Sequence, residues 1–435
     1  MAAENAVEHF SLCQTRKSKY NCHISDSDDN HTQPCSIMPP CSCCAMWPID
    51  AIMSAMNSAA ATSIRDSAEA DILTRGLEDL RALLPATWKV EPAMEPPRDD
   101  ADLGADALIN LQDSQGMHCS LVLEVKRAIA PRDVETLGGQ LRLMRRLDPN
   151  ASVMVFAPWL SSRTRVLLEE LKVGYLDLTG NVRLELERPA LVIRTDGAAL
   201  DPNPPRRQGV SVRGTVAGRV VRLLADIRPP YTASAIATVA GVSLPYVSRL
   251  LTQLDREALV RRGRRGLVVD VDVPNLLRRR AETYTLFGTN KSQGYLSGTG
   301  ARDAVRRMRD SAPFPYRAVT GSFAAVQRAP IAAPSQLTVY VDDFDTAAEA
   351  MNLMPTDQGA DVVLLRPYDF VVVDRFELID GLQVVAPSQL VLDCLSGNGR
   401  MPAEGQALLT WMTDHEAEWR RSTIEGLEPR AAVLP

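Results

Sequence analysis

The sequence predicts an α/β protein built from several domains. Its 435 residues are 45% hydrophobic and 23% charged, which is ordinary for folded domains. Residues 65–200 alternate strand-like runs of Leu, Ile and Val with helical periods, and residues 212–282 contain three helical segments followed by a basic hairpin. Residues 283–425 mix short strands with helices. We therefore expect three folded domains, with residues 201–211 as a proline-containing linker between the first two.

The most informative pattern in the first domain is a hairpin that carries charges on one face. Ala105–Leu111 and Met117–Lys126 are predicted strands, and the polar loop between them ends in Gly116. If the loop runs from Asp113 to Met117, residues whose numbers sum to 230 face each other, which places Asp106 opposite Glu124. Alternation then puts Asp106, Glu124 and Lys126 on one face. The other face would be apolar and consist of Ile109, Leu111, Leu121, Leu123 and Val125.

These residue types suit the hydrolysis of a phosphodiester. Mg²⁺ prefers oxygen ligands and keeps several waters, so two carboxylates and a phosphate oxygen would form a suitable site. A bound metal would lower the pKa of a water, and Lys126 would orient that water or stabilise the transition state. The alternative from the residues alone is a solvated ion pair at the end of a hairpin.

The pattern resembles the PD-(D/E)xK nuclease superfamily over about residues 70–160. The resemblance implies a helix, a three-stranded meander, a second helix and a further strand, with Glu69 or Glu78 on the leading helix. It also implies Mg²⁺ as cofactor, held by Asp106 and Glu124. The catalytic residues would be Asp106, Glu124, Lys126 and Gln140. The proline that usually precedes the first Asp is replaced by Gly104-Ala105, and members that keep this fold without cleavage are common.

Residues 212–272 predict a helix, a second helix, a tight turn, a third helix and a hairpin. Pro229-Pro230 end the first helix, Thr232 is a suitable N-cap for the second, and Gly241 makes the turn. Ser243 is predicted to cap the third helix. The apolar face of that helix would consist of Val247, Leu250, Leu251 and Leu254. This is the layout of a winged helix-turn-helix, whose third helix presents polar residues to the DNA major groove.

The candidate DNA-binding residues lie on the third helix and on the hairpin. Residues 206–280 contain 15 Arg and 5 Asp or Glu, a local charge of +10, whereas the whole chain is at −6 and the remainder is near −16. Attraction to DNA is therefore expected to be local. The base-reading candidates are Tyr246, Ser248 and Arg249. The phosphate-contacting candidates are Arg261, Arg262, Arg264 and Arg265. The alternative use of such a module is protein contact or dimerisation.

The first 60 residues are predicted to be a disordered leader. Six of the eight cysteines lie in the first 44 residues, and Cys41-x-Cys43-Cys44 lacks the paired spacing of most zinc sites. Met53 or Met56 would then begin the ordered protein. Cys119 and Cys394 are interpreted as core residues. The chain has no run of 18 or more apolar residues and no recognisable secretion signal, which favours a cytoplasmic protein.

Two further polar pairs are interpreted as structural. Asp177 and Asn181 flank a tight turn at Gly180, and stabilising that turn is the preferred role over contacting a ligand phosphate. Asp342 and Asp343 follow a strand, but adjacent residues face opposite ways. The paired carboxylates of nucleotidyltransferases alternate along a strand, so a strand-end turn is the preferred interpretation here.

The C-terminal part carries a second resemblance. Thr320–Ala325, Ala386–Asp393 and Gly399–Glu404, together with the central winged helix, are similar to a bacterial family of predicted regulators. That family is grouped with AbiEi-type antitoxins of type IV toxin-antitoxin systems, and the resemblance spans about residues 120–420. It implies a DNA-binding repressor whose partner protein is a nucleotidyltransferase-like toxin. AbiEi antitoxins carry the winged helix at the N-terminus, whereas a nuclease-like domain precedes it here.

Two functions follow from these patterns. The favoured one is a DNA-binding protein that acts as a winged-helix transcription regulator or antitoxin-like repressor, with no cofactor. The alternative is a Mg²⁺-dependent PD-(D/E)xK DNA endonuclease that the winged helix directs to its site. Both act on double-stranded DNA. A homodimer is compatible with either, because winged-helix proteins commonly dimerise.

Overall fold

The computed structural model describes residues 67–92, 106–138, 151–203, 211–310 and 318–427. Over these ranges the chain is a mixed α/β protein with two large mixed sheets. No single helix within them is both long and apolar enough to cross a membrane, and only the bent pair 233–240 and 244–256 meets that test when its two helices are joined. The predicted leader and the candidate Gln140 lie outside the described residues.

The first sheet has seven strands in sequential order. They are Lys89–Pro92 (β1), Ala107–Gln112 (β2), His118–Val125 (β3), Ser152–Ala157 (β4), Gly174–Asp177 (β5), Val182–Leu186 (β6) and Leu191–Thr195 (β7). The pairs β3–β4 and β4–β5 are parallel, and the other pairs are antiparallel. The helices of this domain are Ser67–Leu83 (α1), residues 131–138 (α2) and Ser162–Glu170 (α3).

Helices cover both faces of this sheet, because each helix has an apolar side at helical spacing. On one face, α1 packs through Ile72, Leu73, Leu77 and Leu80. Gly76 lets α1 approach closely, since a Cβ there would overlap the ring of Phe156. On the other face, Val134 and Leu137 of α2 and Leu168 of α3 pack against Val122, Val153 and Val155. The domain is thus a three-layer sandwich with two apolar cores.

The register predicted for the first hairpin is confirmed. Ala107 pairs with Leu123 and Gln112 with His118, so the two residue numbers of every pair add up to 230. The loop closes through the Asp113 amide, which donates to the Met117 carbonyl at 2.9 Å. The predicted apolar face is also confirmed: all five of its residues belong to the core beneath α1.

The second unit follows the predicted order of three helices and a hairpin. Its elements are Gly214–Asp226 (α4), Ala233–Ala240 (α5), Leu244–Arg256 (α6), Val260–Arg262 (β8), Val268–Val271 (β9) and Val273–Ala281 (α7). We refer to residues 212–281 as the helix–hairpin unit. Thr232 caps α5 by accepting from the Ala235 amide, and Gly241 ends it with a φ of 62°. Ser243 occupies the N-cap position of α6, but its side chain makes no capping hydrogen bond, so that detail of the prediction is wrong.

The second sheet has the strand order β13-β10-β14-β12-β11-β16-β15. Its strands are Lys291–Ser297 (β10), Ala318–Thr320 (β11), Leu337–Tyr340 (β12), Leu353–Pro355 (β13), Val362–Arg366 (β14), Glu377–Ile379 (β15) and Leu382–Val384 (β16). Its helices are Leu286–Thr289 (α8), Ala301–Asp310 (α9), Ser322–Ala325 (α10), Phe344–Met351 (α11), Pro387–Leu395 (α12), Met401–Asp414 (α13) and Glu416–Trp419 (α14). The pairs β12–β14 and β11–β16 are parallel.

The helix–hairpin unit and the second sheet share one apolar core, which runs from Val212 to Ile424. A buried arginine on α4 crosses this junction. Arg222 donates to the Ser388 hydroxyl at 2.8 Å, to the Val371 carbonyl at 2.8 Å and to the Gln389 amide oxygen at 2.7 Å. It also bonds Asp226 at 3.2 Å, and Arg375 reaches the same carboxylate at 2.6 Å. The two parts are therefore joined by polar contacts as well as by apolar packing.

The first domain meets the helix–hairpin unit through ion pairs. Arg132 of α2 lies 3.1 Å from Asp255 near the end of α6. Arg163 of α3 lies 2.7 Å from Asp272, which caps α7. The apolar clusters of the first domain contain no residue of the helix–hairpin unit among the described residues. The first domain is thus attached to the helix–hairpin unit mainly by ion pairs, whereas the second sheet is attached by apolar packing as well.

Replacing Arg222 with Met should strongly destabilise the protein. Four acceptors lose a buried donor and Asp226 loses one of its two counterions, so we expect the free energy of unfolding to fall by roughly 3 to 5 kcal/mol in urea denaturation. Burial favours a raised pKa for Asp226, but the charges of Arg222 and Arg375 hold its pKa below the ordinary value. This contribution is therefore present at neutral pH and lost as the pH falls through the lowered pKa.

The matched control is Arg256→Met, which changes an exposed arginine on α6. Equal losses for the two variants would show that the buried contacts of Arg222 contribute no more than an exposed side chain.

Candidate nucleic-acid interface and acidic site

The acidic site lies near the C-terminal end of β3. Glu124 is only 4% exposed, and its Oε1 pairs with Lys126 Nζ. Its Oε2 is buried and has no hydrogen-bond partner among the described residues. Burial raises the pKa of Glu124, the hydrogen bond and charge of Lys126 oppose that rise, and the nearby charges of Asp106 and Glu69 add to it. A second cation would relieve this buried, incompletely satisfied carboxylate.

Asp106 and Glu69 are the other acidic groups near Glu124. Asp106 is buried beside β3, and its Oδ2 accepts the Val125 amide at 2.7 Å. Glu69 lies in the first turn of α1, whereas Glu78 on the same helix is exposed. Within the part of the chain that the structure describes, no three His, Cys, Asp or Glu side chains form a group that could hold a metal. The structure therefore brings two predicted carboxylates and the lysine together without a complete set of protein ligands.

The prediction that one face is apolar and the other charged needs correction. The face that carries Glu124 also carries Val122, which packs in the core beneath α2 and α3. Glu124 is therefore buried because helices cover both faces of the sheet, and it does not belong to an open polar surface. Lys126, just beyond the strand, is 39% exposed and connects this interior to the surface.

The outward face of α6 is available for contact. Val247, Leu250, Leu251 and Leu254 are buried as predicted, and Arg249 is exposed, with its Nε donating to the Pro245 carbonyl of its own helix at 3.3 Å. Ser248 is partly exposed. Tyr246 is also partly buried against the core, and this burial raises the pKa of its phenol. Of the three base-reading candidates, Arg249 is thus the exposed one, and Ser248 and Tyr246 are both partly buried.

The four hairpin arginines do not share one environment. Arg264 and Arg265 lie at the tip and are exposed, and their side chains make no hydrogen bond or ion pair with other described residues. Arg261 is 68% exposed and lies 3.6 Å from Asp270 across the hairpin. Arg262 is partly buried, donates to the Thr252 hydroxyl of α6 at 3.1 Å and approaches the Gly266 carbonyl at 3.5 Å.

Much of the positive charge counted in the sequence is used inside the protein. Arg219 forms an ion pair with buried Asp369 at 2.6 Å, and Arg279 pairs with Glu257 at 2.8 Å. Arg280 is buried and donates to the Val212 carbonyl. Together with Arg222, these residues face the second sheet or neighbouring helices. Among the described arginines of residues 206–280, the exposed ones on α6 and the hairpin are Arg249, Arg256, Arg261, Arg264 and Arg265, and Arg213 and Arg278 are exposed elsewhere.

The two polar pairs assigned to structure have structural contacts. Both carboxylate oxygens of Asp177 accept hydrogen bonds, including the Leu160 amide at 3.0 Å and the Asn181 side chain at 2.8 Å. Asp343 caps α11 by accepting from the Thr346 amide at 2.9 Å. The contacts of Asp177 agree with turn stabilisation, whereas Asp343 stabilises the start of a helix and not a turn. Cys119 and Cys394 are buried, as expected of core residues.

No protein-family model matches the chain, and the search of curated proteins gives no significant match.

Replacing Glu124 with Gln should stabilise the protein at neutral pH. Because the pKa of Glu124 is raised in the folded state, its ionisation opposes folding, and stability falls as the pH rises through the raised pKa. We expect the free energy of unfolding to rise, because the neutral amide avoids the burial of a charge. The gain should vanish at acidic pH, where the native carboxyl is protonated.

Thermal unfolding measured across a pH series tests this expectation, with exposed Glu91→Gln as the control. Destabilisation by Glu124→Gln at every pH would mean that the ion pair with Lys126 outweighs the effect of burial.

Proposed function

We propose that this protein binds double-stranded DNA through the helix–hairpin unit and acts as a regulator of transcription or an antitoxin-like repressor. The observation that carries this proposal is the pair Arg264 and Arg265 at the hairpin tip. Both side chains are exposed and without partners among the described residues, and the hairpin is joined to α6 through the contact of Arg262 with Thr252. Exposed arginines beside a polar helix face are suited to phosphate contact next to a DNA groove.

The geometry of the unit supports a winged helix-turn-helix. The chain turns through 119° between α5 and α6, within the range typical of this motif. Tyr231, just before α5, exchanges backbone hydrogen bonds with Val268 of the hairpin at 3.0 and 3.3 Å. The hairpin is thus extended by a third short segment, as in a wing. In this arrangement α6 is the recognition helix.

The first domain contacts the helix–hairpin unit away from the first half of α6 and from the hairpin tip. Its ion pairs reach Asp255, at the C-terminal end of α6, and Asp272, which follows β9. Ser248 and Arg249 lie in the first half of α6, and the hairpin tip lies at the opposite end of the hairpin from Asp272. A repressor of this kind would present α6 and the tip to an operator. A toxin-like partner or a second copy of the chain would bind elsewhere.

Removing either tip arginine should weaken binding to all sequences alike. In fluorescence anisotropy with a pool of random-sequence duplexes, Arg264→Gln and Arg265→Gln should each reduce the slope of log affinity against log salt by about one. Arg249→Ala should instead change the preference between sequences in a selection experiment. Arg306→Gln, an exposed arginine of α9, is the control for general charge loss. An effect of Arg306→Gln equal to that of the tip variants would contradict the proposed interface.

A second candidate function is supported by the unsatisfied oxygen of Glu124. The order α1, β1–β3, α2 and β4 matches the order of elements in the PD-(D/E)xK core, and β3 runs parallel to β4. Asp106 and Glu124 offer the hard oxygen donors that Mg²⁺ prefers, with water supplying the remaining positions. A metal held there would acidify a bound water for attack on a phosphodiester. Lys126 would remain beside Glu124 and orient the reacting groups.

The two candidates differ in what happens to the DNA. As a nuclease, the protein should nick or cut supercoiled plasmid with Mg²⁺ or Mn²⁺, and Glu124→Ala or Lys126→Ala should abolish cleavage while retaining binding. Glu91→Ala is the matched control. Binding with intact DNA under both metals would leave the regulator as the function. Cleavage that survives in Glu124→Ala would assign the activity to another source.

A further inference from the structure

The contacts of Arg262 differ in kind from those expected of a phosphate-binding residue. Its guanidinium bonds two neutral oxygens: Nη1 donates to the Thr252 hydroxyl at 3.1 Å, and Nε approaches the Gly266 carbonyl at 3.5 Å. The first acceptor is on α6 and the second is at the hairpin tip. One side chain therefore spans the recognition helix and the hairpin.

The register of the hairpin explains why Arg262 faces α6. Val260 pairs with Val271, and both are buried, whereas Arg261 pairs with exposed Asp270. Alternation returns Arg262 to the buried face of the hairpin, where it pairs with fully buried Val268. A bulge at this point leaves Val269 unpaired and keeps Arg262 and Val268 on the same side.

Gly266 fits this arrangement. Its φ is 74°, in the left-handed region that favours glycine, and a Cβ there would lie 2.6 Å from Arg262 Nη2. The guanidinium therefore packs directly against the backbone of the tip. Thr252, the other contact, also donates to the Ser248 carbonyl at 3.0 Å, so its hydroxyl is oriented to accept from Arg262.

We infer that Arg262 is a positioning residue that fixes the hairpin against α6, rather than a contact to DNA phosphate. The inference rests on the proposed DNA-binding function for its consequences and on the Thr252 and Gly266 contacts for its geometry. DNA contact by the hairpin then belongs to Arg264 and Arg265, and Arg262 sets their distance from α6. Because α6 and the hairpin tip must contact the DNA at the same time, the distance between them limits which DNA shapes the protein can bind.

Charge and position can be separated by substitution. Arg262→Lys keeps the charge, but one ammonium cannot reach two acceptors in the way a planar guanidinium does. We expect affinity for random-sequence duplexes to fall by roughly three- to tenfold, with a salt slope equal to that of the wild type. If Arg262 contacted a phosphate, Arg262→Gln would instead reduce the salt slope by about one, and Arg262→Lys would largely keep the wild-type affinity.

A double-mutant cycle adds a second criterion. Thr252→Val removes no charge and should weaken binding to a similar extent. Combining it with Arg262→Lys should cause little further loss, because both changes break the same contact. The control pair, Thr252→Val with Arg264→Gln, should show independent effects that multiply. Multiplying effects in the Arg262 and Thr252 pair would overturn the inference.

Limited proteolysis tests the same contact without DNA. Trypsin should cleave after Arg264 and Arg265 several-fold faster in Thr252→Val than in the wild type, because a hairpin released from α6 opens more often. Mass spectrometry locates the cleavage, and the rate elsewhere in the chain controls for global unfolding. An unchanged rate at the tip would overturn the inference even if the protein binds DNA. A faster rate in a protein that does not bind DNA would support the contact and reject the proposed function.

Discussion

Arg222 and Asp226 lie one helical turn apart inside the apolar core that α4 shares with the second sheet, and the placement of the helix–hairpin unit depends on them. A charged group in an apolar core is tolerated only when its donors and acceptors have hydrogen-bond partners. The partners of Arg222 come from 371–374 and from the start of α12, which are distant in sequence. These contacts require one relative position of α4 and the second sheet, because a small shift would leave buried charges without partners.

Attachment differs on the two sides of the helix–hairpin unit. Toward the C-terminus it is joined by a common core, by Arg219 and Arg222, and by Arg280, which donates to the Tyr368 hydroxyl at 3.4 Å. Toward the N-terminus the described contacts include two ion pairs that are partly exposed to solvent. Salt screens exposed pairs more than buried ones. The orientation of the first domain is therefore expected to depend more on ionic conditions than the orientation of the second sheet.

The exposed arginines and the acidic site lie in different parts of the chain. The hairpin tip and α6 carry exposed arginines, whereas Glu124 is buried in the first domain. The raised pKa of Glu124 arises from the same two-sided packing that stabilises the sheet. Perturbed carboxylates of this kind are typical of functional sites, but structural ion pairs also produce them.

The sequence by itself determined the local features. Alternation and loop length predicted the register that places Asp106 opposite Glu124, and helical spacing predicted the four buried residues of α6. Both are periodic patterns within a short segment, and burial of an apolar face enforces them. The run of neighbouring arginines predicted a common surface for Arg262 and did not predict its contacts with Thr252 and Gly266.

Only the tertiary structure decided which charges are used internally. Arg132 pairs with Asp255, and Arg222 with residues beyond position 370, and no periodic pattern encodes such distant partners. The strand order of the second sheet is likewise non-sequential, so β10, β13 and β16 pair with strands that are far away in the chain. Burial of Glu124 also required helices on both faces of the sheet. Each of these outcomes depends on long-range packing, which determines the solvent exposure of a side chain independently of its immediate sequence.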